Sequence, residues 1–250
     1  MWPDPWVMAV AVPAVIFAGV SKGGFGSGAA FAAAPILALA IDPRMAVGLM
    51  LPLLMLIDVF TLKSFWKQWH TPSALALALG SLPGIALAIW LFQVADVDTF
   101  RLLIGGIAIL FVVYQLARTW GVLKIPDRPF DPVTGGLAGT VAGFTSFISH
   151  AGGPPVAVFL LAQGMGKTTY QATSVIVFWA INLLKFVPYA ALGIFTRETA
   201  VLDLWLAPAA LLGAWLGVKA HHIVPEKPFF ALTYVLLLLT GTKLIWDALT

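Results

Sequence analysis

Ser21-Lys22-Gly23-Gly24-Phe25-Gly26 interrupts an apolar stretch near the start of the chain, and Ser149-His150-Ala151-Gly152-Gly153-Pro154-Pro155 interrupts another much later. Short apolar segments flank each interruption: Trp6–Val20 and Ser27–Ile41 around the first, Val133–Ile148 and Pro154–Gln163 around the second. A helix of about 15 residues is only about 22 Å long, against about 30 Å for a bilayer's hydrocarbon core. Helices that fall short leave their glycine-rich junctions within the membrane. Non-helical backbone is tolerated there only against protein or a watery cavity.

Six longer apolar segments follow the short pairs: Met45–Leu62, Ser73–Val94 and Phe100–Ala117, then Thr168–Leu192, Ala200–Val218 and Phe229–Trp246. The reading is an all-α integral membrane protein with about 8–10 transmembrane or half-membrane helices. Runs such as Leu51–Ile57 do not alternate, so a membrane β-barrel is excluded. Composition agrees. Of 250 residues, 60% are hydrophobic and 10% charged, too little charge to cover a water-soluble globule. The net charge of +3 is too small and scattered for nucleic acid. The chain has no cysteine, hence no disulfide and no thiolate metal site. Its first residues lack a basic region and a small-residue cleavage site, so Trp6–Val20 is expected to be retained.

The two halves, 1–125 and 126–250, read alike: a short helix, a glycine-rich break, a shorter helix, then three longer helices. Ala18-Gly19 corresponds to Ala142-Gly143, Ala46 to Ala172, Gly48 to Ser174 and Gly84 to Gly213. With five elements per half, the second half enters the membrane from the opposite side, the inverted-topology repeat of many secondary transporters. Basic residues set the orientation. With the N-terminus outside, Lys63, Lys67, Arg118, Lys124, Arg128, Lys167, Lys219 and Lys227 lie inside, against Arg44, Arg101 and Arg197 outside. Both termini are therefore expected on the outer, periplasmic face of a cell inner membrane.

Matching broken segments are the best pointer to a transporter's substrate site. Backbone N–H groups at helix starts attract anions, and glycine lets a ligand approach the backbone. The candidate substrate-binding residues are Lys22, Gly23, Gly24 and Gly26 in the first break and Ser149, His150, Gly152 and Gly153 in the second. Thr173, Ser174, Asn182 and Lys185 join them from the following segment, where Phe178, Asn182, Lys185 and Tyr189 share one helical face. Asp58 and His150 are the candidates for proton coupling or gating. Depth groups Lys22 with Asp58 in the inner half of the membrane and His150 with Lys185 in the outer half. Pro52 and Pro188 are expected to free carbonyls near the cavity. The bland alternatives are glycines that only allow close helix packing, hydroxyls that bond their own helix, and lysines that reach the interface. His221, His222 and Glu226 are a poor metal set, and no cofactor or metal is expected.

At these residues the chain resembles the TauE/SafE sulfite-exporter family, also called the toluene-sulfonate uptake permease family. The first-half match is Ser21 to Gly26, Pro35, Ala46-Val47-Gly48, Leu51-Pro52 and Asp58-Val59. The second-half match is Ser149 to Pro155, Ala172-Thr173-Ser174, Asn182 to Lys185, Pro188-Tyr189 and Gly213. The resemblance covers nearly the whole chain. It implies a multi-pass permease of the bacterial cytoplasmic membrane for a small sulfur-containing anion such as sulfite or an organosulfonate. The partners it implies are that anion and the lipid bilayer; a homo-oligomer is compatible with the sequence.

Two other readings compete with the transporter. A passive anion channel would line a continuous pore with the two breaks. An intramembrane serine hydrolase is disfavoured, because an elbow around Ser27 needs glycine where Phe25 and Ala29 stand.

Overall fold

Three helices begin with the same Asp-Pro pair. Asp4, Asp42 and Asp131 each accept the backbone N–H of the residue two positions on, and the following proline occupies the first helical position, where an N–H is not needed. The computed structural model describes residues 4–25, 30–123, 127–220 and 226–250. Gly26, His221 and His222 lie outside the described residues, as does the side chain of Glu226.

The described residues form ten α-helices. They are α1 (Pro5–Val20), α2 (Ala33–Leu37), α3 (Pro43–Leu62), α4 (Thr71–Val94), α5 (Val97–Thr119), α6 (Pro132–Ser149), α7 (Gly153–Leu161), α8 (Lys167–Ala191), α9 (Arg197–Ala220) and α10 (Glu226–Leu249). No strand occurs among the described residues. Seven helices are long and apolar enough to cross a membrane. Their outward faces are apolar: Leu79, Leu87 and Trp90 on α4, Val133, Leu137 and Val141 on α6, and Val235 and Leu239 on α10 are all exposed. Lys22, Asp58, Asn182 and Lys185 are instead buried in the interior, the arrangement expected when the solvent is lipid. Exposed Trp6, Trp66, Trp120 and Trp246 sit near helix ends, where indole rings favour the membrane–water boundary.

The first break differs from expectation. Residues Ser21–Phe25 do not leave the helix. They widen it into a π-helical turn, so that Pro5–Gly24 is a continuous 20-residue span. The short element follows it, as a 3-10 turn at Ala30–Ala32 and the five-residue α2. The second break does leave the helix. His150 ends α6 in the left-handed conformation with φ 58°, and the N–H groups of His150 and Ala151 close back onto Ser146 and Thr145. The nine-residue α7 follows.

Two helix crossings are made backbone against backbone. A Cβ on Gly213 of α9 would collide with the carbonyl of Ile16 on α1, and one on Gly84 of α4 with the carbonyl of Thr140 on α6. In return, Gly19 of α1 abuts the carbonyl of Ala210, and Gly143 of α6 abuts that of Ser81. Small residues of this kind let membrane helices approach closely where hydrophobic burial offers no drive. The helices between run in opposite senses. Gly48 meets Ile194 just beyond α8 while Asp58 meets Asn182, so α3 and α8 are antiparallel. Gly105 lies by Ile245 and Gly241 by Ile109, so α5 and α10 are antiparallel too.

Candidate anion site

Where α3 and α8 cross beside the two breaks, four ionisable side chains are buried: Lys22 is 4% exposed, Asp58 0%, Lys185 0% and His150 7%. A lone charge there is costly, so each needs a partner. Lys22 Nζ, carried inward by the π-helical turn, stands 2.5 Å from Asp58 Oδ1. The Asn182 side-chain amide donates to the other carboxylate oxygen, Oδ2, at 2.9 Å. One turn further along α8, Lys185 Nζ donates to the carbonyl and hydroxyl of Ser146 and contacts His150 Nδ1, each at 2.9 Å. The other ring nitrogen of His150, Nε2, contacts the carbonyl of Val47 at 2.9 Å. Val47 precedes Gly48, whose carbonyl loses its usual helical donor because residue 52 is a proline.

The pairing of Lys22 with Asp58, and of Lys185 with His150, matches the grouping expected from depth. A single cavity with room for about one water molecule is lined by Lys22, Leu54, Ser146, His150, Phe178 and Asn182, among others. The two pairs therefore adjoin, with Asn182 between them. The reason is that Asn182 and Lys185 are three residues apart on α8 and face the same way.

Several expected anion ligands are engaged otherwise. Gly23 and Gly24 abut the backbone of α9 at Ala214 and Gly217, so close packing is what these glycines permit. Gly152 abuts the Ala142 carbonyl and the Phe178 ring. Gly153 is buried as the first residue of α7. The Ser149 hydroxyl donates to Thr145 in its own helix. Thr173 donates to Thr169 and accepts the N–H of His70, which leads into α4. Ser174 is buried on the same helix. A helix hydroxyl that reaches its own i−4 carbonyl is satisfied locally, and nothing then directs it at a ligand.

Ser146, Gln171 and Tyr189 complete the site, and of these the sequence marked only Tyr189. Ser146 supplies two of the acceptors around Lys185. Gln171 donates to the Lys22 carbonyl at 3.0 Å and so holds the π-helical turn against α8. The Tyr189 hydroxyl donates to the Phe147 carbonyl at 2.5 Å, tying α8 to the last turn of α6. Tyr189 falls on the same α8 face as Lys185, whereas Ser146 gave no sign beyond its place one turn before the second break.

An apolar-surfaced helical bundle with charged side chains buried among its helices defines a multi-pass membrane protein. The family model described as "Sulfite exporter TauE/SafE" matches residues 11–244, nearly the whole chain. The chain belongs to the TauE/SafE family, which is a family of membrane transporters and not of enzymes. No curated protein and no solved structure matches it.

Proposed function

We propose that this protein is a secondary transporter of a small sulfur-containing anion, of the sulfite or organosulfonate class, working by alternating access across the cell inner membrane. The observation that carries the reading is the buried Lys22–Asp58 pair at a cavity where both breaks meet. An anion reaching Lys22 competes with Asp58. A proton taken up by Asp58 removes that competition, so anion binding and proton uptake are coupled at one ammonium. The one-water cavity favours a carrier over a continuous pore, because a channel needs a connected path.

The two halves, 1–125 and 126–250, are on this reading inverted repeats. Reciprocal contacts support it: Ile16 with Gly213 and Thr140 with Gly84 are the same contact under the offsets of 124 and 129 residues between the halves. The antiparallel course of the equivalent helices, α3 with α8 and α5 with α10, supports it as well. Both termini then lie on the periplasmic side, away from the more basic loops.

The test is transport of sulfite, sulfate, thiosulfate, taurine and isethionate by purified protein in proteoliposomes, with and without a pH gradient. Saturable transport of at least one sulfur anion, lost in Lys22→Met, is expected. Undiminished transport by Lys22→Met removes Lys22 from the mechanism, and currents far above carrier rates favour the channel.

A further inference from the structure

As an ammonium, Lys185 has three N–H bonds for three neighbours: the Ser146 carbonyl, the Ser146 hydroxyl and His150 Nδ1. An ammonium donates and never accepts, so His150 Nδ1 presents its lone pair. The proton of the neutral imidazole is then on Nε2, and Nε2 faces the Val47 carbonyl, which only accepts. Both neighbours of the ring select the same tautomer. Adding a proton at Nδ1 removes the lone pair that holds Lys185 and sets a second positive charge beside the ammonium.

A second observation concerns charge. Lys22 has a carboxylate partner, but among the described residues no carboxylate lies within ion-pair distance of Lys185. Its acceptors are all neutral. When charged, this fully buried side chain, three residues along the helix from a group that lines the cavity, is short of one negative charge.

Building on the anion-transport reading above, we infer that Lys185 is a second anion-binding ammonium held in reserve, and that protonation of His150 releases it toward the cavity. The step is one proton transfer. A proton from bulk water goes to Nδ1, the hydrogen bond between Nδ1 and Lys185 breaks, and the ammonium turns to the incoming anion, whose charge offsets the added positive one. The ionisable groups around the ring are Lys185 and Tyr189 on α8 and Lys22 on the π-helical turn, with Asp58 on α3 beyond Lys22. Lys22 is already engaged by Asp58, which leaves Lys185 as the ammonium that His150 controls. The backbone fits the role. Glycine would end α6 in the left-handed conformation at less cost, yet a histidine stands there at φ 58° and places a titrating ring against α8.

The test has two arms. Nitrogen NMR of histidine-labelled protein in nanodiscs, which needs no ligand, reads the tautomer. The Nε2–H form is expected at about pH 8, with protonation at Nδ1 on acidification. An Nδ1–H tautomer at the high pH overturns the inference. In the second arm, binding of thiosulfate and isethionate, whose charges do not change over the range, is measured at about pH 5.5 and 8. Wild-type affinity for the probe that binds is expected to rise about tenfold at the lower pH, the scale of one added charge-assisted contact. Lys185→Met is expected to remove that rise. So is His150→Asn, which keeps a residue tolerant of the left-handed conformation and cannot titrate. Wild-type-like pH dependence in either variant overturns the inference. Lys22→Met tells the two readings apart: binding that ignores Lys22 sinks the transport reading, whereas binding that needs Lys22 but ignores Lys185 sinks only this one.

Discussion

Asn182 on α8 donates its side-chain amide to Asp58 on α3 at 2.9 Å, and the same carboxylate receives Lys22. One acidic group is thus satisfied from both halves of the chain. Asp58 joins the two halves at their centre.

Removing either member of the Lys22–Asp58 pair leaves the other buried and uncompensated. Lys22→Met and Asp58→Asn are each expected to destabilise the protein by about 3–5 kcal/mol. The double variant should lose much less than the sum, because no lone charge remains. Thermal unfolding in detergent across the four proteins measures the coupling. Additive losses would show that the two side chains do not depend on each other.

Gln171 supports the π-helical turn through one hydrogen bond to the Lys22 carbonyl. Gln171→Leu leaves that buried carbonyl short of a partner, at a cost of roughly 1–3 kcal/mol. Hydrogen exchange should accelerate at residues 21–25 more than elsewhere in α1. Uniform acceleration along the whole helix would mean that Gln171 has no local role.

The two glycine crossings are expected to respond alike. Gly84→Leu and Gly213→Leu force backbones apart and should each cost at least about 1–3 kcal/mol. Gly106 on α5 provides the control, since the Cβ of Gly106→Leu meets nothing within 4 Å. Recovery of monodisperse protein after solubilisation distinguishes them, and equal recovery for all three variants would contradict the packing described.

Two helix caps outside the membrane carry a pH dependence. The Thr134 hydroxyl and N–H hold the Asp131 carboxyl below the ordinary carboxylate value, and Thr99 does the same for Asp96. A depressed folded value means that the cap's contribution is present above the unfolded value and is lost as pH falls through the folded one. The loss should therefore fall below about pH 4. Asp131→Asn keeps a capping oxygen without the charge, so its unfolding midpoint should vary less between about pH 5 and 3 than that of the wild type. An identical pH profile would exclude the cap as its source.

Much of this arrangement was legible in the sequence, and the exceptions share a cause. Hydropathy marked the long helices because lipid demands apolar faces over a fixed thickness. Scarcity of charge marked Lys22, Asp58, His150 and Lys185, since a charge placed within an apolar helix must have a partner. Local geometry was not legible. Whether Ser149 and Thr173 point at a ligand or at their own i−4 carbonyl depends on a rotamer, which spacing does not encode. The π-helical turn at Ser21–Phe25 contains the same glycines that suggested a break. What keeps it helical is contact with α9 and the bond from Gln171, both remote in sequence.

The backbone-to-backbone crossings also decide what can move. Helices packed without intervening side chains have little freedom to slide, so any rocking motion must carry α1 together with α9, and α4 together with α6. Each of these blades takes one helix from either half. On the proposed transport cycle the mechanical seams therefore do not follow the division at residue 125: each body that swings is a composite of both halves, with α3 and its Asp58 packed on α9 and α8 and its Lys185 packed on α4.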